Sequence, residues 1–276
     1  MIGRLAAIFA VVVAIFLSLP ARALDLQGSF VQGGLVVGRA APGAKVTLDG
    51  KPVRVDGDGR FLLGFGRDAK PAAELIVATA AGTELRALKI EKRTYVIQRI
   101  DGLPPKQVTP DPQTLKRIAK ERERIAEARR RDTEASLFAA GFQWPASGRI
   151  SGVYGSQRIL NGEGRSPHLG VDIAAPVGTD VVAMSDGVVA LADDDLFFTG
   201  KTVILDHGHG LTSVYAHLSQ TAVKQGARVK KGQAIGRIGA TGRVTGPHLH
   251  WGVHWRGVGL DPALLPLPTT TPGAVK

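Results

Sequence analysis

The 276 residues carry 35 Lys and Arg against 24 Asp and Glu, a formal charge of +11, and no cysteine. Disulfides, thiolate metal sites, a cysteine nucleophile and a lipidated N-terminal cysteine are thereby excluded, and any metal must be held by nitrogen and oxygen. The length has room for about two domains with cores of their own, and the basic balance favours anionic partners without choosing among phospholipid, nucleic acid and cell-wall polymer.

Residues 1–23 read as a targeting segment. Arg4, the apolar run Leu5–Leu19, Pro20 and the small-x-small Ala21-Arg22-Ala23 have the layout of a secretory signal cleaved after Ala23. The run also approaches the ~20 residues of a membrane anchor. Cleavage removes Arg4 and Arg22 and no acid, so the charge becomes 11 − 2 = +9, and leaves no further membrane-spanning segment. On either reading the remainder is exported, to the periplasm or cell envelope.

Residues 24–100 alternate apolar and polar positions between turn signals, as in "APGAKVTLDGKPVRVDGDGRFLLGF", where Asp49-Gly50 and Asp58-Gly59 mark hairpin turns. The pattern predicts a small β-sandwich, and "GRAAPGAKVTLDG" resembles bacterial immunoglobulin-like modules of exported proteins. No histidine falls in this stretch, so its expected role is spacing or binding. Residues 101–141 form a proline-rich linker, "DGLPPKQVTPDP", followed by helix formers from Gln113 to Ala140. Leu115, Ile118, Ala119, Ile125 and Ala126 make one apolar stripe, which predicts a single basic amphipathic helix that packs on the next domain or grips an acidic polymer. The helix lacks interleaved aromatics and follows a signal peptide, which argues against nucleic acid.

Residues 142–265 turn to Gly, Val and Ile and hold all seven histidines. The stretches "PVGTDVVAMSDGVVALA" and "GARVKKGQAIGRIGATG" echo one another and predict two related hairpin units in a mostly antiparallel domain. "GRIGATG" lacks the Gly-Lys-Ser/Thr of a phosphate loop, so tight turns explain its glycines. Residues 266–276, "PLPTTTPGAVK", read as a disordered tail.

Residues two apart on a strand share a face about 6.6 Å apart, so His248 and His250 of "GPHLHWGV" look into one space while Leu249, Trp251 and Val253 take the core side. His168 and Asp172 of "SPHLGVDIAAPVGT" would be about 13 Å apart if fully extended, too far for one metal. A bend near Leu169-Gly170 would bring His168 back over the strand holding Asp172. In "TSVYAHLS" the alternation puts Ser213, Tyr215 and His217 on one face. His207 and His209 of "DHGHG" read as turn residues, and His254 as peripheral. Tyr154 and Arg158 of "SGVYGSQR" are candidates for lining a groove, with packing the alternative for Tyr154.

Together, His168-x-x-x-Asp172, the "YAHL" around His217 and His248-x-His250 resemble the lysostaphin-type zinc peptidases that cleave peptide bonds in bacterial peptidoglycan. The resemblance spans roughly Trp144 to Leu260. It implies an antiparallel all-β domain with a groove and one Zn²⁺ per domain, held by His168, Asp172 and His250, with His217 and His248 as the unligated catalytic pair. No HExxH occurs, so these histidines fill the place of a glutamate base. It further implies hydrolysis of cross-links or stem peptides. The competing expectations are a non-enzymatic peptidoglycan binder or hydrolase activator, and a latent enzyme whose groove is blocked by Gln113–Ala140 or by the loop around Asn161.

Overall fold

The computed structural model describes residues 24–101 and 111–267. The expected signal segment, most of the proline-rich linker and most of the tail lie outside the described residues.

The N-terminal strands build two antiparallel sheets. β1 (Asp25–Gly28), β2 (Leu35–Arg39) and β5 (Arg60–Gly64) form one in the order β1-β2-β5. β3 (Lys45–Leu48), β4 (Lys51–Val53), β6 (Ala72–Thr79) and β7 (Gly82–Lys89) form the other, in the order β4-β3-β6-β7. The β3–β4 turn places Asp49 and Gly50 at φ 48° and 73°. Two successive positive φ angles suit a two-residue hairpin, which is why Asp-Gly sits there. Leu35, Phe61, Leu63 and Leu75 are buried within the module.

β8 (Ile97–Ile100) leaves this module and pairs in parallel with β10 (Gln157–Leu160), which in turn pairs with β11 (Glu163–Gly164). The extent 24–100 expected for the sandwich is therefore longer than its seven strands. The helix is also shorter than its composition suggests: α1 spans Pro112–Arg129 and not Gln113–Ala140. Asp111 caps it by accepting from Gln113 N and Thr114 N at 2.9 and 3.0 Å, with Pro112 in the first turn. Tertiary partners take the chain off the helical path at the other end. The Thr133 hydroxyl donates to Asp206, and Thr133 O accepts from His209 N. A 3₁₀ turn follows at Leu137–Ala140.

A ten-stranded sheet carries the histidines. Its main path runs β17 (Arg228–Val229), β14 (Gly187–Leu196), β15 (Gly200–Asp206), β16 (Leu211–Thr221), β19 (His248–Trp255), β12 (Val171–Ala174) and β9 (Arg149–Gly152). β13 (Asp180–Val182) pairs with β18 (Ala234–Ile238), β18 also with β16, and β20 (Val258–Leu260) with β19. The two echoing sequence stretches thus meet each other, β13 against β18 and β14 against β17, in a reciprocal arrangement. α1 covers β14 and β15 through Ile125 and Ala128, which pack with Leu191, Leu196 and Ile204. Ion pairs Arg117–Asp195 and Arg124–Asp193 fasten it. Among the described residues no helix is long and apolar enough to cross a membrane.

The N-terminal sheets are not free-standing. One apolar cluster runs from Leu35 and Phe61 through to Trp251 and Leu260. Trp255 lies so close to Gly64 that a Cβ there would sit 2.8 Å from its ring. Arg93 reaches across to Asp261 at 2.7 Å, and that carboxylate is only 5 % exposed. With its carboxylate buried and its guanidinium part-exposed, this pair ties the two parts together.

Candidate metal centre

Strand pairing assembles the centre from distant parts of the chain. Asp172 on β12 stands directly opposite His250 on β19, so the two side chains share a face. Leu249, Trp251 and Val253 fill the other face and are fully buried, as the alternation requires. His168 lies before β12. Its N–H donates to Ser156 O and its carbonyl accepts from Gly155 N, which holds the expected bend in place. Gly170 is needed for closeness: a Cβ there would lie 2.5 Å from Trp251 O and 2.8 Å from the His250 ring.

Three ligand atoms then converge. His168 Nε2, Asp172 Oδ1 and His250 Nδ1 are separated by 3.0, 2.9 and 3.0 Å around the triangle. Two imidazole nitrogens facing one another at 2.9 Å beside a carboxylate oxygen form a donor set with converging lone pairs. A tetrahedral shell with zinc–ligand bonds of ~2.0–2.1 Å has edges of about 3.3 Å, so this triangle fits one such ion. His168 Nδ1 donates to Val153 O at 3.0 Å, which fixes the tautomer leaving Nε2 as the ligand atom. Burial raises the Asp172 pKa, but hydrogen bonds from His168 and His250 outweigh it and hold the carboxyl far below the usual carboxylate range. For His168, burial opposes the charged form, yet the Asp172 hydrogen bond and charge leave its pKa raised.

His248 and His217 stand beside this triangle, with ring centroids 4.8 Å apart. His248 Nε2 is 3.8 Å from Asp172 Oδ1. Each ring binds a backbone carbonyl through Nδ1, His248 with Gly246 O and His217 with Thr241 O, both at 2.9 Å. Both Nε2 atoms are therefore free of that duty. Burial, followed by the neighbouring His250 and His248, pushes His217 down to about 4, so it is a neutral imidazole at neutral pH.

Simple alternation misplaces His217. Tyr215 faces Trp251 in the core and Ala216 stands opposite His250, so strict period two would send His217 to the core side. Instead its backbone takes φ 63°, its N–H donates to Thr199 O, and the β15–β16 register shifts nearby. This bulge turns the ring onto the face of His248 and His250, while Leu218 returns to the core. A histidine at positive φ is uncommon, and such strain gathers at functional sites.

The remaining candidates separate cleanly. Tyr154 is 2 % exposed and donates to Gly259 O at 2.8 Å, so it packs beneath the site and lines no groove. Arg158 stands exposed on β10. His207 is buried between Asp186 O and the Ser213 hydroxyl, and His209 reaches Glu134 O while its ring meets Phe138 edge-on. His254 is not peripheral but 2 % exposed, on the face of His250, where burial and then the nearby Arg129 push its pKa well down. It does not join the ligand triangle. Sequence reading missed Thr241, whose carbonyl orients His217; it lies seven residues before His248, with no motif to single it out.

An antiparallel β domain with a His/Asp/His triangle and two adjacent imidazoles defines a metallohydrolase-like centre. The chain belongs to peptidase family M23: the family model matches residues 166–262, which contain all five site residues. A crystal structure described as an M23 peptidase from Pseudomonas aeruginosa is 32 % identical, covers 85 % of this chain and 93 % of its own, and superposes with a TM-score of 0.65. Among curated relatives, peptidoglycan DD-endopeptidase ShyA of Vibrio cholerae is 40 % identical over 127 residues, 45 % of this chain and 29 % of its own length. Cell division protein DipM of Caulobacter vibrioides is 36 % identical over 150 residues, 51 % of this chain and 24 % of its own. The match thus spans only about a quarter of these relatives' lengths.

Proposed function

We propose that the chain is a zinc-dependent endopeptidase that hydrolyses peptide cross-links or stem peptides of bacterial peptidoglycan. Export through residues 1–23 and action in the periplasm or envelope belong to the same reading, as does the division into a module at 24–100, a linker and helix at 101–141 and a peptidase unit at 142–265. The observation that carries it is the convergence of His168 Nε2, Asp172 Oδ1 and His250 Nδ1 within 3.0 Å of one another, beside two further imidazoles. In this reading those three residues hold the ion, and the donor set of two nitrogens and one oxygen leaves a tetrahedral corner for substrate or water. Bound there, zinc supplies Lewis acidity, polarising a carbonyl and acidifying water.

The chain's own residues do the rest. Asp172 supplies negative charge and is held directly opposite His250 by the pairing of β12 with β19, keeping the triangle together. His248, held by Gly246 O through Nδ1, presents a lone pair at Nε2 and takes the proton of the attacking water there. His217, held by Thr241 O, offers Nε2 to the opposite end of the scissile bond. As the bond breaks it takes a proton from solvent and passes it to the leaving amine, while His248 releases the water proton to solvent, so each ring returns to its neutral state.

The relative named for DD-endopeptidase activity supports the peptidoglycan substrate. Incubating the purified protein with intact sacculi, with and without a chelator, and weighing the released fragments tests it. Chelator-sensitive release of cross-linked fragments is expected. Firm binding to sacculi with no release under zinc would replace the enzyme by a peptidoglycan binder.

A further inference from the structure

The three ligands of the candidate centre are not held in the same way. Asp172 and His250 face each other across β12 and β19, so the peptidase sheet itself sets their separation. His168 precedes β12 and depends on the loop 153–156, which joins β9 to β10. That loop grips it at three atoms. His168 Nδ1 donates to Val153 O at 3.0 Å, its N–H donates to Ser156 O at 2.8 Å, and its carbonyl accepts from Gly155 N at 2.7 Å. Where the loop goes, the His168 ring goes.

The N-terminal module holds the loop in turn. Arg67, whose side chain is 13 % exposed, donates through Nε to Gly155 O at 2.9 Å. A charge-assisted bond in so enclosed a place is among the stronger ways to pin a loop. The same guanidinium lies 4.5 Å over the Tyr95 ring. Tyr95 packs on the same glycine: a Cβ at Gly155 would sit 2.0 Å from Tyr95 Cδ1, and Gly155 takes φ 83°. Only glycine permits both that backbone and that approach. Beside them Tyr95 meets Tyr154 edge-on at 6.2 Å, and Gln157 N donates to Val96 O at 2.9 Å where the β8–β10 pairing begins. Pro167 and Leu169, the two neighbours of His168, line one cleft with Phe65, Gly66 and Arg67. Both sides of the ligand residue therefore face the module. The peptidase sheet adds an anchor of its own, the bond from the Tyr154 hydroxyl to Gly259 O.

We infer that Arg67 and Tyr95 are positioning residues of the metal centre, clamping the 153–156 loop so that His168 is aimed at Asp172 and His250 before any ion arrives. The inference rests on the reading of those three residues as metal ligands. It gives the N-terminal module, expected from the sequence to be a spacer or a binding unit, a part in building the centre. Outer supports of this kind act through ligand orientation, so their loss weakens the hold on the ion and changes its coordination without touching the substrate.

The test reads the metal alone. The metal-free full chain is titrated with Zn²⁺ against a chelating dye, and the visible spectrum of its Co²⁺ form is recorded. Arg67→Met keeps the stem and deletes the donor, and Tyr95→Leu deletes the ring. Each is expected to bind Zn²⁺ about tenfold more weakly than wild type and to shift the cobalt bands. Arg67→Lys, which can still donate to Gly155 O, should restore most of both. Arg256→Ala removes another module contact, a 2.7 Å bond to Pro52 O beyond the other end of β19, and should leave affinity and spectrum at wild-type values whatever it does to the melting temperature. Wild-type affinity and spectrum in either Arg67→Met or Tyr95→Leu, or an equal loss in Arg256→Ala, would overturn the inference. Amide exchange in the metal-free wild type covers the case in which those variants do not fold. The Gly155 and His168 N–H groups should be protected without zinc, and protection gained only on adding zinc would equally overturn the clamp. Failure of the peptidase reading looks different. A wild type that binds zinc and releases nothing from sacculi, with the two variants weakened in zinc binding, keeps the clamp and removes the peptidase. A wild type that binds no zinc removes both.

Discussion

Two sets of histidines share one domain and have opposite fates. His168, His217, His248 and His250 turn ring nitrogens toward one another at the groove, where the triangle and its neighbour rings gather. His207 and His209 instead spend their ring nitrogens on the chain itself: Asp186 O and Ser213 for the first, Glu134 O for the second. What separates them is where the backbone carbonyls are. In the first set carbonyls of Val153, Gly246 and Thr241 occupy one nitrogen of a ring and so aim the other into shared space. In the second, protein atoms close both sides of His207, and the ring becomes a rivet between a turn and the core.

The contrast can be broken most severely at Asp172. Asp172→Ala should abolish hydrolysis of sacculi, by more than about 10³-fold, and reduce the zinc retained after dialysis, measured by metal analysis. His217→Ala or His248→Ala sharpens the boundary within the first set. Turnover should fall roughly 10²–10⁴-fold while bound zinc stays near one per chain. Equal zinc loss in these variants would move them into the ligand set.

At His207 the expected effect is on stability. Burial pushes it down to about 4 from 6.5, so between those values the unfolded chain binds more protons than the folded one. Stability is therefore full above about pH 6.5 and is lost as pH falls toward 4, by on the order of 3 kcal/mol. Denaturant melts of His207→Gln against wild type should show a shallower loss over that window. The smallest effect is expected at His209, where replacement by Ala removes one bond to Glu134 O and an edge contact with Phe138. A loss of about 1–2 kcal/mol with hydrolysis unchanged should appear in thermal melts.

Much of this centre could be read from the chain because it depends on short-range rules. The shared face of His248 and His250 follows from a two-residue strand period, and the bend before Asp172 follows from distance and Gly170. His217 broke the rule. Its place depends on one extra residue in β16 and a contact from Thr199, and nothing in "TSVYAHLS" announces a bulge. The helix end was hidden for a similar reason: Arg130 to Ala140 has helical composition, but Asp206 and His209 claim Thr133. The seam between Gly64 and Trp255 and the pair of Arg93 with Asp261 join positions far apart in the chain, where local pattern carries no signal.

The reciprocal pairing of β13 with β18, and of β12 with β19, links residues on the order of 50–80 positions apart, a topology that folds slowly because long loops must close first. His168 and Asp172 precede His250 by 82 and 78 positions, so no nascent chain that stops short of β19 contains the complete triangle. A polypeptide built this way keeps its ligand set apart until β19 has been made and paired.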